Sequence, residues 1–191
     1  MVFISLIEIL NILIATAVVG FIFTGLLPFR SSKKDVLDSY TKRFDWSEFW
    51  FACLVAAPGI ILHEMAHKFV AMGFGLNAFF ELSYFGLLIG VVLKLLGSGL
   101  ILLAPGYVVI TGANIFQGML TAFAGPFINL LLWIVGLLVV KYSKSITRRH
   151  AIFWTLTKEV NKWLFIFNIL PIPPLDGYKV WIPLFKILFG I

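Results

Sequence analysis

The stretch FWFACLVAAPGIILHEMAHKFVAMGF, residues 49–74, is apolar enough to read as a membrane span, yet it contains His63, Glu64 and His67. Ionisable groups are costly in hydrocarbon and face a partner or a cavity. Histidines four residues apart share one face of a helix. Two imidazoles at that spacing can grip one zinc ion, and a glutamate set to the side can take a proton from the metal's water. A catalytic zinc takes three protein ligands and keeps one position open, so this pair lacks one ligand. With three histidines and five glutamates in the chain, a chance H-E-x-x-H is on the order of one in a thousand. The competing reading, a polar cluster packed between helices, suits a lone histidine better than this triplet.

Composition sets the frame around that stretch. Of 191 residues, 61% are hydrophobic and 13% charged, with a mean hydropathy of +1.02. Soluble domains carry roughly 25% charge, and a helix needs about 20 apolar residues to cross a bilayer. The expectation is an all-α polytopic membrane protein, residues 1–191 as one integral-membrane domain with no separate soluble module. About four transmembrane helices are expected, over residues 3–27, 49–74, 115–140 and 151–170, with a short C-terminal helix after Gly177. The first segment lacks a basic leader region and carries Glu8, so it is expected to stay as a span rather than be removed.

The net charge of +6 does not imply nucleic acid. Nine of the lysines and arginines fall in two linkers, residues 30–43 and 141–149, where they flank a membrane. The bilayer, not a polynucleotide, is the expected partner. Cys53 is the only cysteine, which excludes an internal disulfide and a cysteine zinc site and leaves a packing role.

Three interruptions break the apolar segments. Pro58-Gly59 lies one turn before the histidines, where a proline can kink the helix and open room for water. Residues 81–112 hold Gly97-Ser98-Gly99 in an apolar run and read as a membrane-dipping hairpin of two short β-rich halves, with a full crossing as the alternative. The stretch Pro171–Asp176 cannot continue a helix, and irregular backbone at membrane depth must be buried in protein or line a wet cavity.

Among nine carboxylates, few can supply the third ligand. Asp35, Asp38, Asp45 and Glu48 belong to the first linker or its border, and Glu159 lies among lysines. His150 sits in the second basic stretch and reads as a solvated residue. Glu8 with Asn11 reads as a helix-packing polar pair, Glu81 is a weak candidate, and Asp176 stands in apolar surroundings beside the proline break.

Three stretches, HEMAH at 63–67, GPFIN at 125–129 and NILPIPPLDG at 168–177, together resemble the site-2 protease family of intramembrane zinc metalloproteases, over roughly residues 48–180. The resemblance implies zinc as cofactor, held by His63, His67 and Asp176, with Glu64 as catalytic base. It implies that Asn168 binds or polarises the scissile peptide, while Gly125, Pro126 and Asn129 belong to helix packing beside the site; Asn129 is a further candidate for substrate contact. The implied substrate is a transmembrane protein segment, which the hairpin at 81–112 can hold by β-strand addition. The sequence departs from the family at Tyr178-Lys179, where many relatives carry a second glycine, and in its long apolar hairpin region.

A hairpin that returns to its own side puts all three motifs near one membrane face. The linker charges place that face outside, whereas the family opens its site to the cytosol, and the cytosolic side is the expectation taken for a multi-pass cell-membrane protein. Rival readings are a metal or proton transporter lined by the same residues and an inactive binder of membrane segments.

Overall fold

The computed structural model describes residues 3–26, 44–97, 105–143, 145 and 147–190. Its elements in chain order are α1 (Leu6–Phe23), α2 (Trp46–Gly73), β1 (Asn77–Leu82), α3 (Tyr84–Leu95), β2 (Gly106–Thr111), α4 (Ile115–Tyr142), α5 (Arg148–Asn168) and α6 (Asp176–Phe189). Helices α1, α2 and α4 are long and apolar enough to cross a membrane, as an all-α membrane protein requires. The fourth expected span is α5, which has the length but begins Arg148-Arg149 and carries Lys158, Glu159 and Lys162. The Glu159 carboxylate pairs with the Lys158 and Lys162 ammoniums at 2.8 and 2.5 Å.

Helix starts follow ordinary capping chemistry. Ser5 and Asn114 open α1 and α4 with reciprocal capping boxes, and Asp45 accepts from the Ser47 and Glu48 amides at the start of α2. Each cap satisfies amides that the first helical turn leaves free.

Helix α2 is the innermost span: 61% of its apolar window is buried, against 33% for α1 and 28% for α4. Its contact with α1 is built from small residues. Ala52, Ala56 and Ala57 receive Val19, Ile22 and Phe23, and Gly20 lies against the Cys53 thiol, the packing role expected of that cysteine. Small residues let membrane helices approach closely, where lipid offers no hydrophobic drive to associate. The outer faces of α1 and α4 expose Leu6, Leu10, Leu13, Leu131 and Val135, the surface a bilayer would cover.

Helix α2 runs unbroken through Pro58-Gly59. A Cβ at Gly59 would lie 2.7 Å from the Asn161 Oδ1 atom, so the room expected there for water is taken by the carboxamide of α5.

The hairpin region differs from expectation in composition. Its strands are β1 and β2, antiparallel from Asn77↔Thr111 to Leu82↔Gly106, and β1 begins before residue 81. The expected first β half is the helix α3, started by Ser83, whose Oγ accepts from the Gly86 amide. Twelve residues of α3 are too few for a crossing, and the chain returns to pair with β1. Ser98 and Gly99, read as the turn, lie outside the described residues.

Candidate metal centre

Two facing acceptors on α2 and one on α6 form the centre. His63 Nε2 lies 2.9 Å from Asp176 Oδ2 and 3.1 Å from His67 Nε2, and His67 Nε2 lies 3.2 Å from the same carboxylate oxygen. Asp176 is brought there by the proline-rich turn: α5 stops at Asn168, and α6 starts at Asp176 itself. Gly177 fits directly on the Ile169 and Leu170 carbonyls, where a Cβ would come within 2.4 Å. Trp181 Nε1 donates to the Ile169 carbonyl at 2.8 Å and fixes α6 against the end of α5.

The other nitrogen of each imidazole decides what the triangle can bind. His67 Nδ1 meets the Thr121 carbonyl at 2.7 Å, a group that only accepts, so this nitrogen carries the proton. His63 Nδ1 meets Asn129 Oδ1 at 2.6 Å. That amide orientation is set by Asn129 Nδ2, which donates to the Gly59 carbonyl at 3.0 Å and to Asn161 Oδ1 at 2.9 Å. With Nδ1 carrying the proton, each neutral imidazole turns its Nε2 lone pair toward the same carboxylate oxygen. In that state three acceptors within 3.2 Å of one another can close on a cation. The donor set, two imidazoles and a carboxylate, fits zinc with one position left open.

Gly125 supplies the floor. A Cβ there would lie 2.4 Å from His67 Nε2 and 2.6 Å from His63 Nε2, so only glycine leaves the ligating atoms room. Pro126 beside it is fully buried. Sequence reasoning assigned this motif to packing; the structure shows it packing on the ligands themselves.

Glu64 is half-buried on α2 and has no hydrogen-bond partner among the described residues, while His63, His67, Asp176 and Lys179 are the titratable groups around it. Asn168 is the last residue of α5, and its Nδ2 donates back to the Leu164 carbonyl at 3.0 Å. Asn129 is fully buried, with both amide protons given to Gly59 and Asn161. The substrate contact considered for Asn129 thus has no free N–H; its oxygen holds His63 instead. Asn161, absent from the sequence reading, completes this chain. Its signal was an asparagine two turns before Asn168 on the same helix.

The other acidic and basic candidates fall elsewhere. Glu81 is exposed on β1 and accepts from the Tyr107 hydroxyl at 3.1 Å, and His150 is exposed in the first turn of α5. Glu8 does not pair with Asn11. Its carboxylate takes the Lys68 ammonium and the Phe80 amide at 2.8 Å, while Asn11 Nδ2 donates to the Phe80 carbonyl at 3.4 Å.

A membrane-length helix carrying H-E-x-x-H, closed by an aspartate from a later helix, makes a three-residue group that can hold a metal ion. Among curated proteins, the chain is 31% identical over 186 residues to the "Putative zinc metalloprotease MJ0611" of Methanocaldococcus jannaschii, covering 85% of this chain and 92% of that one. It is 32% identical over 138 residues to the "Putative zinc metalloprotease YwhC" of Bacillus subtilis, covering 62% of each. The chain belongs to this zinc metalloprotease family. The relatives' name and the His-His-Asp set agree on zinc as the metal. No family model matches the sequence, and no solved structure matches the fold.

Proposed function

We propose that this chain is an intramembrane zinc protease of the site-2 type, hydrolysing a peptide bond within or near a transmembrane segment of a membrane-bound substrate. The observation that carries the reading is the convergence of His63, His67 and Asp176 within 3.2 Å on a helix of membrane length and composition. Zinc, when bound, acidifies a water and polarises a carbonyl. Glu64, free of other hydrogen bonds, takes the proton of the attacking water and hands it to the leaving amine. Asn168 keeps a second amide proton beyond its bond to Leu164, and donates it toward the developing oxyanion.

An extended substrate needs a strand edge, and the two strands are not equivalent. The N–H and C=O of Phe80 both turn to α1, where Glu8 and Asn11 take them. Backbone groups of facing antiparallel residues point the same way relative to the ladder, both inward or both outward. Val108, opposite Phe80, therefore turns its own N–H and C=O to the outer edge of β2. The substrate strand adds to β2. The site opens to the cytosolic face of a multi-pass cell-membrane protein.

Glu64→Gln is the direct test. Purified variant and wild type should each hold about one zinc, and only the wild type should cleave a model transmembrane substrate in detergent. Equal cleavage by the variant would remove Glu64 as the base.

A further inference from the structure

Asn161 belongs to none of the motifs, yet it is fully buried and both polar atoms of its carboxamide are hydrogen-bonded. Its Nδ2 donates to the Thr157 carbonyl at 2.8 Å within α5, which leaves Oδ1 facing α4 and α2. That oxygen accepts from Asn129 Nδ2 at 2.9 Å. Gly59 on α2 has no side chain where Asn161 sits, since a Cβ would lie 2.7 Å from Oδ1. Three helices thus meet around one amide.

We propose that Asn161 is a positioning residue for the metal centre, acting through Asn129 to hold His63 in the one tautomer that can ligate. This rests on the zinc reading above. With Asn161 present, turning the Asn129 amide over would set its oxygen against two acceptors, the Gly59 carbonyl and Asn161 Oδ1. An inverted Asn129 would offer N–H to His63 Nδ1, and the proton of His63 would move to Nε2, the ligating atom. Without Asn161 Oδ1, only the Gly59 carbonyl opposes that inversion. Partners of metal-ligating histidines fix tautomer and ring orientation, and losing one lowers metal affinity by about 10–100-fold. Here the partner's partner does the fixing, from a helix that contributes no ligand.

The experiment pairs two variants and two readouts. Asn161→Leu removes the acceptor at similar volume, and Asn161→Asp keeps an acceptor for Asn129. Zinc affinity is measured by chelator competition. The tautomer of His63 is read from imidazole 15N chemical shifts of metal-free protein, assigned with His67→Gln. Asn161→Leu should weaken zinc binding about tenfold or more and show an Nε2–H population at His63. Asn161→Asp should keep the Nδ1–H signature of the wild type. Should Asn161→Leu fail to fold, Gly59→Ala makes the same test by displacing the carboxamide with an added Cβ. Wild-type tautomer and wild-type zinc affinity in Asn161→Leu, or in Gly59→Ala if that variant is the one used, would overturn the proposal. A wild type that binds no zinc would instead overturn the zinc reading, and the 15N comparison would still decide the role of Asn161.

Discussion

His67 and Lys68 are consecutive on α2, and each is buried at the heart of a polar cluster. Lys68 points to α1 and β1, where Glu8 takes its ammonium and the Phe80 and Ser5 amides fill the remaining carboxylate positions. Each charge there faces its opposite. His67 turns Nδ1 to the Thr121 carbonyl on α4, and its Nε2 meets His63 Nε2 and the Asp176 carboxylate of α6, further acceptors when the imidazoles are neutral. The neighbouring clusters differ in whether the protein completes them. A buried charge pair satisfied by its own partners is structure, whereas a set of converging acceptors is a site.

The strongest way to break that distinction is to take away the space in which a cation sits. Gly125→Ala sets a methyl 2.4–2.6 Å from both ligating nitrogens. Metal content by atomic absorption should drop from about one zinc per chain to background, with cleavage lost alongside it. Gly118→Ala, two turns earlier on α4, meets nothing within 4 Å and should keep its zinc. Equal zinc in the two variants would show that the glycine floor does not define the centre.

Next in size is the matched cluster. Lys68→Met leaves the Glu8 carboxylate, 3% exposed, without its counter-charge, which costs about 3–5 kcal/mol when one partner of a buried pair is removed. Adding Glu8→Gln removes the charge yet keeps an acceptor for the Phe80 amide, and should restore most of the loss. Denaturant unfolding in detergent compares the single and double variants. A double variant no more stable than Lys68→Met would mean that the pair is not what joins α1 to α2.

This contrast also explains what the sequence could convey. The cluster was legible because H-E-x-x-H carries its own geometry, and Asp176 because a proline-broken helix end stands out in an apolar chain. The completing residues were not. Glycine at 125 signals helix packing whether it packs on leucine or on an imidazole, and Asn161 carries no spacing rule that links it to His63. Strand β1 was hidden for a different reason. Its burial alternates residue by residue, but the outward Phe79 is as apolar as the inward Phe80. The outward Asn77 and Glu81 are polar, so Phe79 alone interrupts the period of two, and in a strand of six residues that is enough to hide it. The helix α3 was misread for a related reason, since an apolar run without polar punctuation fits either period.

The smallest expected effect separates the two strands. Phe80 on β1 spends its backbone groups on α1, while Val108 opposite it turns them to the outer edge of β2. Val108→Pro deletes one outward N–H, and proline is tolerated at an edge position. If an extended substrate pairs with β2, the variant forfeits one intermolecular hydrogen bond, worth about 0.5–1.5 kcal/mol. KM for a transmembrane substrate should then rise roughly two- to tenfold, with zinc content and thermal stability held at the wild-type level. An unchanged KM would move the substrate off β2. Since Glu8 and Asn11 already occupy the Phe80 position on β1, it would remove the pairing of substrate with this sheet at its centre, leaving capture to the helices around the metal.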